Sequence, residues 1–217
     1  MDLPRPHDLL FPRRPEAFDA GGARPDWLEA GWMARAPLVV RRAPITAAAI
    51  PVGARGLDRN QRCAGHLAVD AIARRVTPEM LARAVLGPGG PALDLHTAAT
   101  GLPCVAALIK LAPKLRALGL DWGPAGGVGF WLASGLPVLR PTSDLDLLVR
   151  APRPLSLDLA GALRVLVEGA GCRADVQIDT GSGGFALLDY LRGGRVMLKT
   201  ANGPLLVLDP WRVEEPA

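Results

Sequence analysis

The sequence lacks several patterns that mark common protein classes. Its 3 cysteines, Cys63, Cys104 and Cys172, are widely spaced and form no C-x-x-C pair, which argues against a disulfide framework and against a zinc site. No run of about 18 uncharged apolar residues occurs, so no membrane span is expected. The N-terminal segment has acids and prolines where a signal peptide needs an apolar stretch, which predicts a cytoplasmic protein.

Lysine is also scarce, and arginine carries nearly all of the positive charge. Lysine occurs only at positions 110, 114 and 199, although Lys and Arg together number 25 and the net charge is +4. The planar guanidinium suits phosphate groups, so this charge fits an anionic substrate. A genome-wide preference for arginine would give the same bias. Because no basic run with interleaved aromatic residues is present, nucleic acid is not expected as a partner.

The first half of the chain predicts a small mixed domain. Hydrophobic residues make up 49% of the sequence, enough for one or two compact domains. Strands are predicted at 36–42 and 49–56. Helical spacing from 59 to 86 predicts two helices, the second capped by Thr77 and Pro78, and a third helix is predicted over 103–118.

The second half alternates between helices and strands. The segments are a helix closed by Gly135, a strand in DLDLLVR, a helix over 156–171, and strands over 173–180 and 194–200. This order is typical of α/β or α+β proteins. We predict an α+β fold in which a smaller N-terminal domain, residues 1–118, precedes a mixed sheet with flanking helices in residues 119–217.

Two acids interrupt the apolar strand SDLDLLVR. Asp144 and Asp146 are separated by one residue, so in a strand both carboxylates project from one face toward a common point. Such like charges repel unless cations lie between them. Mg²⁺ takes carboxylate oxygens and leaves positions open for substrate phosphates, which indicates phosphoryl or nucleotidyl transfer. Alternatively, one acid caps a turn after Ser143 and the other pairs with an arginine.

Two further features favour the metal-site hypothesis. Gly126 and Gly127 form a small-residue turn at the start of a helix, where free backbone N–H groups can hold a phosphate. A third acid, Asp175, follows in the next predicted strand. Asp179 is an alternative third acid because it would lie on the same face as Asp175.

At these residues the sequence resembles a known family. The order of glycine turn, D-x-D strand, helix and single-acid strand resembles the nucleotidyltransferase fold of the DNA-polymerase-β type. The strings RPHDLL, GARGLDRNQRCAG, WGPAGGVGFWLASGLPVLRPTSDLDLLVR, ADVQIDTGSGGFALLDY and VMLKTANGPLLVLDPW resemble the malonate decarboxylase holo-acyl-carrier-protein synthases, also called phosphoribosyl-dephospho-CoA transferases. The resemblance covers nearly the whole chain.

The resemblance implies an activity. The family attaches a 2'-(5''-phosphoribosyl)-3'-dephospho-CoA group to a serine of the malonate decarboxylase acyl carrier protein, and pyrophosphate leaves from the donor, triphosphoribosyl-dephospho-CoA. In this family a serine is more usual at the second position of the glycine turn, where this chain has Gly127.

The same resemblance implies roles for the acids and for one lysine. Asp144 and Asp146 would bind Mg²⁺ on the triphosphate. Asp175 would help to hold the metal and would take the proton of the serine hydroxyl. Lys199 would neutralise phosphate charge, unless it is an ordinary surface lysine.

Other candidate substrate contacts come from the sequence pattern. Arg55, Arg59 and Arg62 lie beside flexible glycines and suit the phosphates of a CoA-like donor, although solvated arginines are an equally good interpretation. Ser143, directly before Asp144, is a further candidate.

Two other functions stay open at this point. One is a nucleotidyltransferase that uses an ordinary NTP and another hydroxyl acceptor, and the other is a catalytically silent nucleotide-binding module.

Overall fold

The computed structural model of the chain describes residues 2–45, 48–87 and 101–213. These residues form two six-stranded sheets with helices packed mainly on the second. Antiparallel strands and helices are mixed rather than strictly alternating, so the predicted α+β class is confirmed.

The first sheet is antiparallel throughout, with its strands in the order β2-β5-β4-β3-β1-β6. Its inner face packs around Phe18, Leu38, Ile50 and Leu67, all almost fully buried. The strands are β1 (Leu9–Pro12), β2 (Phe18–Asp19), β3 (Leu38–Val40), β4 (Ala49–Arg55), β5 (Arg62–Ala68) and β6 (Ile72–Val76), and a short helix α1 (Ala30–Met33) lies between β2 and β3.

The prediction of two helices over 59–86 is wrong for its first part. Residues 62–68 and 72–76 are strands, and only Pro78–Leu86 is helical. In β5 the buried positions alternate with exposed ones, and the strand pairs with β4 along its whole length. Local helical spacing was therefore overridden by tertiary pairing. The predicted cap is confirmed, because the Thr77 side chain accepts a hydrogen bond from the Met80 N–H at 3.2 Å.

The second sheet is mixed, as predicted, and its strands follow the order β12-β11-β10-β9-β8-β7. Only β8 and β9 run parallel, and the helix Leu157–Glu168 is the crossover between them. The strands are β7 (Asp121–Pro124), β8 (Leu145–Arg150), β9 (Ala174–Asp179), β10 (Gly183–Ala186), β11 (Val196–Thr200) and β12 (Gly203–Val207).

Five helices accompany this sheet. They are α2 (Pro78–Leu86), α3 (Pro103–Ala117), α4 (Gly126–Ser134), α5 (Leu157–Glu168) and α6 (Leu187–Arg192). All five contribute buried residues to one hydrophobic core together with β7, β8 and β9. The predicted domain boundary near residue 118 stays a prediction, and helices α2 and α3, which precede it, pack into the core of the second sheet. Within the described ranges, no helix has the length and apolar character needed to cross a membrane.

A buried cluster of charged side chains joins the two sheets. Arg150, at the end of β8, is only 6% exposed and pairs with Asp8, Glu79 and Asp179. Asp8 precedes β1 of the first sheet, is fully buried and also accepts a hydrogen bond from Arg75 at 2.7 Å. Because removal of one partner would leave buried charges unpaired, this cluster fixes how the first sheet is oriented on the second.

Candidate active site

Three carboxylates come together on β8 and β9. Asp146 lies in β8 directly opposite Asp175 of β9, and Asp144 immediately precedes β8. The Asp146 carboxylate makes no hydrogen bond or ion pair with another described residue. Burial raises its pKa, and the nearby carboxylates of Asp175 and Asp144 raise it further. The structure therefore holds a partly buried negative charge beside two others.

Arginines lie beside the two outer carboxylates. Asp144 pairs with Arg59 at 3.1 Å and has Arg173 at 4.0 Å. Arg173 also pairs with Asp175 at 3.4 Å. Both arginines are exposed, with 85% and 72% of their side chains accessible, so these pairs contribute little to stability and can be exchanged for other cations.

The alternative third acid, Asp179, has a different environment. It lies at the other end of β9, is 4% exposed, and pairs with Arg150 and with Arg42 at 3.2 Å. Asp175, in contrast, is 51% exposed beside Asp146. The geometry favours Asp175 as the third acid of the site, and its chemical role stays a prediction.

The glycine turn lies against the buried acid. Helix α4 begins at Gly126, and the N–H of the preceding Ala125 donates to the Asp146 carbonyl at 2.8 Å. Gly126 has a φ of 53°, and a Cβ at this position would overlap the Asp146 carboxylate. Glycine is therefore required here both by the backbone conformation and by the close approach of the acid. At Gly127 a Cβ would lie 3.4 Å from the Arg55 guanidinium.

The arginines reach this turn from the first sheet. Arg55 ends β4, Arg62 begins β5, and the two are directly paired across the hairpin, with Arg59 in the connecting loop. An exposed ion pair at 2.5 Å connects Asp58 of this loop to Arg140, which lies between α4 and β8. The β4–β5 hairpin thus extends from one sheet to the acids of the other.

Arg55 is the most perturbed of these cations. Its guanidinium lies 5.4 Å from the centre of the Phe130 ring, and its buried Nε atom has no hydrogen-bond partner among the described residues. Burial above all, together with the positive charges of Arg62 and Arg59, lowers the pKa of Arg55 to about 10, and Asp146 opposes this decrease. A buried, incompletely paired guanidinium of this kind is suited to binding an anion.

These residues surround a cavity of about 300 Å³, which we call the arginine cavity. Its wall contains the arginine side chains, the glycine turn, Ser143 and the first two acids. Ser143 closes a turn in which its Oγ accepts the Arg140 N–H at 2.9 Å. The arginine cavity therefore gathers eight of the ten residues singled out from the sequence. The other two, Asp175 and Lys199, border the neighbouring cavity.

Lys199 lies elsewhere. It is exposed on β11 and borders an open cavity of about 630 Å³ on the other side of Asp146, which we call the acid cavity and which Asp175 also lines. Lys199 therefore lines the same cavity as Asp175 and does not line the arginine cavity.

The donor set is compatible with Mg²⁺. All three candidates are carboxylates, which hard divalent cations prefer, and the pKa of Asp146 is raised by burial first and then by the charges of Asp175 and Asp144. Among the residues that the structure describes, no three His, Cys, Asp or Glu side chains stand close enough to share a metal ion. An ion here would therefore be held by two carboxylates and by oxygens of substrate or water, as is common for Mg²⁺.

Three residues of the site were not identified from the sequence. Arg173 pairs with two acids of the site and Arg140 lines the arginine cavity, but isolated surface arginines carry no local signal. His7 has a φ of 74°, unusual for a residue other than glycine, and borders the acid cavity. Burial above all, together with the charges of Arg42 and Arg150, lowers the pKa of His7 to about 4, so the imidazole is neutral.

Two family profiles match the chain over most of its length. Residues 5–78 match the N-terminal domain of phosphoribosyl-dephospho-CoA transferase MdcG, and residues 92–210 match its C-terminal domain. The chain belongs to this family. It is therefore an enzyme of the transferase class, which excludes a binding-only module.

Curated relatives of the same name extend the match to the full length of the chain. A phosphoribosyl-dephospho-CoA transferase from Pseudomonas aeruginosa is 45% identical, with 98% of this chain and 96% of the relative covered. One from Klebsiella pneumoniae strain 342 is 42% identical, with 98% of each chain covered. One from Pseudomonas putida is 40% identical, with 100% of each chain covered. No solved structure matches the chain.

Proposed function

We propose that the protein transfers a 2'-(5''-phosphoribosyl)-3'-dephospho-CoA group from its triphosphate donor to a serine of the malonate decarboxylase acyl carrier protein, with release of pyrophosphate. The observation that carries this proposal is the convergence of Asp144 and Asp146 with the arginines of the β4–β5 hairpin at the glycine turn, with Asp175 opposite Asp146 on the neighbouring strand. The family name supports the donor, and the name MdcG supports malonate decarboxylase as the context.

The arginine cavity suits the donor's triphosphate. Arg55, Arg59 and Arg62 supply charge and planar hydrogen-bond donors for phosphate oxygens. The free N–H groups at the start of α4 add donors at the positive end of the helix. Together these groups would hold the two phosphates that leave as pyrophosphate and would stabilise their charge.

The carboxylates complete the proposed reaction. Asp144 and Asp146 would hold Mg²⁺, which when bound supplies positive charge against the triphosphate. Asp175 is half exposed at the edge of the acid cavity, so a serine on a carrier protein can approach it from solvent. In this proposal Asp175 accepts the proton of the serine hydroxyl while the hydroxyl oxygen attacks the α-phosphorus and pyrophosphate departs. Lys199, which also borders the acid cavity, would offset phosphate charge from that side.

The proposal is tested by intact mass spectrometry of the apo acyl carrier protein. The carrier is incubated with the enzyme, Mg²⁺ and triphosphoribosyl-dephospho-CoA. We expect a mass gain equal to the donor minus pyrophosphate, lost with Asp144→Asn and on chelation of the metal. Asp158→Asn, an exposed acid in the first turn of α5, is the matched control and should transfer normally.

A different result would redirect the assignment. If the carrier gains no mass while ordinary NTPs are consumed, the enzyme is a nucleotidyltransferase with another acceptor. That the protein is cytoplasmic stays a prediction. The cytoplasm is the compartment in which this donor and carrier would meet the enzyme.

A further inference from the structure

A second cavity adjoins the arginine cavity, between the first sheet and helix α4. It measures about 350 Å³, and we call it the slot. Its floor is a row of directly paired residues that crosses four strands: Leu9 pairs with Val39, Val39 with Gly53, and Gly53 with Ala64. These residues belong to the face of the sheet opposite its own core. The facing wall is formed by Pro124, Gly129 and Phe130 of the second half.

The floor of the slot is recessed at Gly53. A Cβ at this position would lie 3.5 Å from the Arg41 side chain and 3.9 Å from the Cys63 carbonyl, which are ordinary contacts, and the backbone does not have a positive φ. Gly65 in the neighbouring strand is different, because a Cβ there would overlap the Asp19 carbonyl and the Phe18 ring. Packing therefore requires glycine at position 65 but not at 53, where its effect is to leave space above the sheet.

The slot opens directly into the arginine cavity. Both cavities are bordered by Arg55, Arg62 and Gly126. The Arg55–Arg62 pair lies two residues along the strands from the Gly53–Ala64 pair and on the same face, a distance of about 7 Å. A molecule whose phosphates contact these arginines can therefore extend its next group over Gly53 without leaving the protein.

The chemistry of the slot suits a flat aromatic group. Its floor is apolar or small apart from the Arg41 side chain beside Gly53, the strand backbone groups are already paired within the sheet, and the Phe130 side chain lies opposite. A planar base needs few hydrogen-bond partners, and a guanidinium such as that of Arg41 can stack on its face. His7 borders the slot, and its neutral imidazole has one donor and one acceptor for the edge of a base.

We propose that the slot between the first sheet and α4 binds the adenine nucleoside of the donor, above the recessed floor at Gly53. This assignment rests on the proposed function, which supplies a donor in which one ribose connects the triphosphate to an adenosine. The pantetheine arm then leaves the slot toward solvent.

The test is binding of two probes to wild type and variants by titration calorimetry. Dephospho-CoA contains the nucleoside, and inorganic tripolyphosphate contains only phosphates. Gly53→Val should raise the Kd for dephospho-CoA and the KM for the donor about 10-fold or more, since its side chain fills the slot. The Kd for tripolyphosphate should change less than about twofold.

Two further variants distinguish loss of the slot from misfolding of Gly53→Val. Ala64 is exposed and lies in the same row of paired residues, so Ala64→Val also reduces the space in the slot. It should therefore raise the Kd for dephospho-CoA even if Gly53→Val is unstable. Ala68→Val lies on the same strand and face, four residues away and outside the slot, and should bind both probes as wild type does.

Several outcomes would overturn the assignment. One is a folded Gly53→Val or Ala64→Val enzyme with wild-type affinity for dephospho-CoA. Another is competition with dephospho-CoA by phosphopantetheine but not by AMP, which would assign the slot to the pantetheine arm. Because binding is measured without transfer, these results are independent of whether the wild-type enzyme modifies the carrier, which tests the proposed function.

Discussion

Arg55 is predicted to destabilise the enzyme when no substrate is bound. Its guanidinium is partly buried beside Arg59 and Arg62, and its Nε has no partner among the described residues. Replacement by methionine keeps an apolar stem against Phe130 and removes the charge. We therefore expect Arg55→Met to stabilise the protein and to impair catalysis.

The magnitude follows from the pKa of Arg55. Its decrease from the ordinary value for arginine to about 10 corresponds to at most about 3.5 kcal/mol against the charged form, at about 1.4 kcal/mol per pKa unit. Partial exposure and the lost attraction to Asp146 reduce this to about 1–2 kcal/mol. The folded protein carries the charged form of Arg55 at every pH below about 10, so this loss of stability is present throughout that range. A gain of this size raises Tm by roughly 3–6 °C in a protein of this length.

Thermal unfolding and carrier modification measure the two effects separately. Tm should rise at pH 7.5, while kcat/KM for the donor falls about 10- to 100-fold, the loss expected for charged hydrogen bonds to phosphate. Arg74→Met is the matched control, because Arg74 also lies over an aromatic ring, that of Phe11 at 3.7 Å, but on the far edge of the first sheet. This control should transfer normally. A lower Tm with unchanged transfer in Arg55→Met would refute the reasoning.

Three other substitutions probe the acids, the interface between the sheets and the glycine turn. Asp146→Asn should abolish transfer yet raise Tm at pH 7.5, and the gain should disappear as the pH falls toward 4, because the raised pKa of Asp146 penalises only its ionised form. Arg150→Met should lower the free energy of unfolding in urea by about 3–5 kcal/mol, because it leaves buried carboxylates unpaired. Gly126→Ala should inactivate the enzyme and lower Tm, since its Cβ would overlap the acid at a φ of 53°, whereas Gly161→Ala in the open middle of α5 should raise stability by about 0.5–1 kcal/mol.

Each of these has a result that contradicts it. For Asp146→Asn it is a Tm gain that persists unchanged to pH 4. For Arg150→Met it is an unfolding free energy within about 1 kcal/mol of wild type. For the glycine pair it is equal activity and stability of the two alanine variants.

The sequence by itself determined the local parts of this protein. The spacing of Asp144 and Asp146 gave two carboxylates at one end of β8, and the glycines at 126 and 127 marked the start of a helix. The capping pattern at Thr77 was sufficient to locate the start of α2. These features depend on neighbours within a few residues, so they can be read without knowing the fold.

Only the tertiary structure decided how these parts meet. Residues 62–68 have helical spacing but form a strand, because β4 offers a complete pairing partner. The roles of Asp175 and Asp179 were indistinguishable by periodicity, and they differ because Arg150 neutralises only the second. The slot over Gly53 combines strands of one sheet with a helix packed on the other, and no local pattern encodes contacts between residues so far apart in the chain.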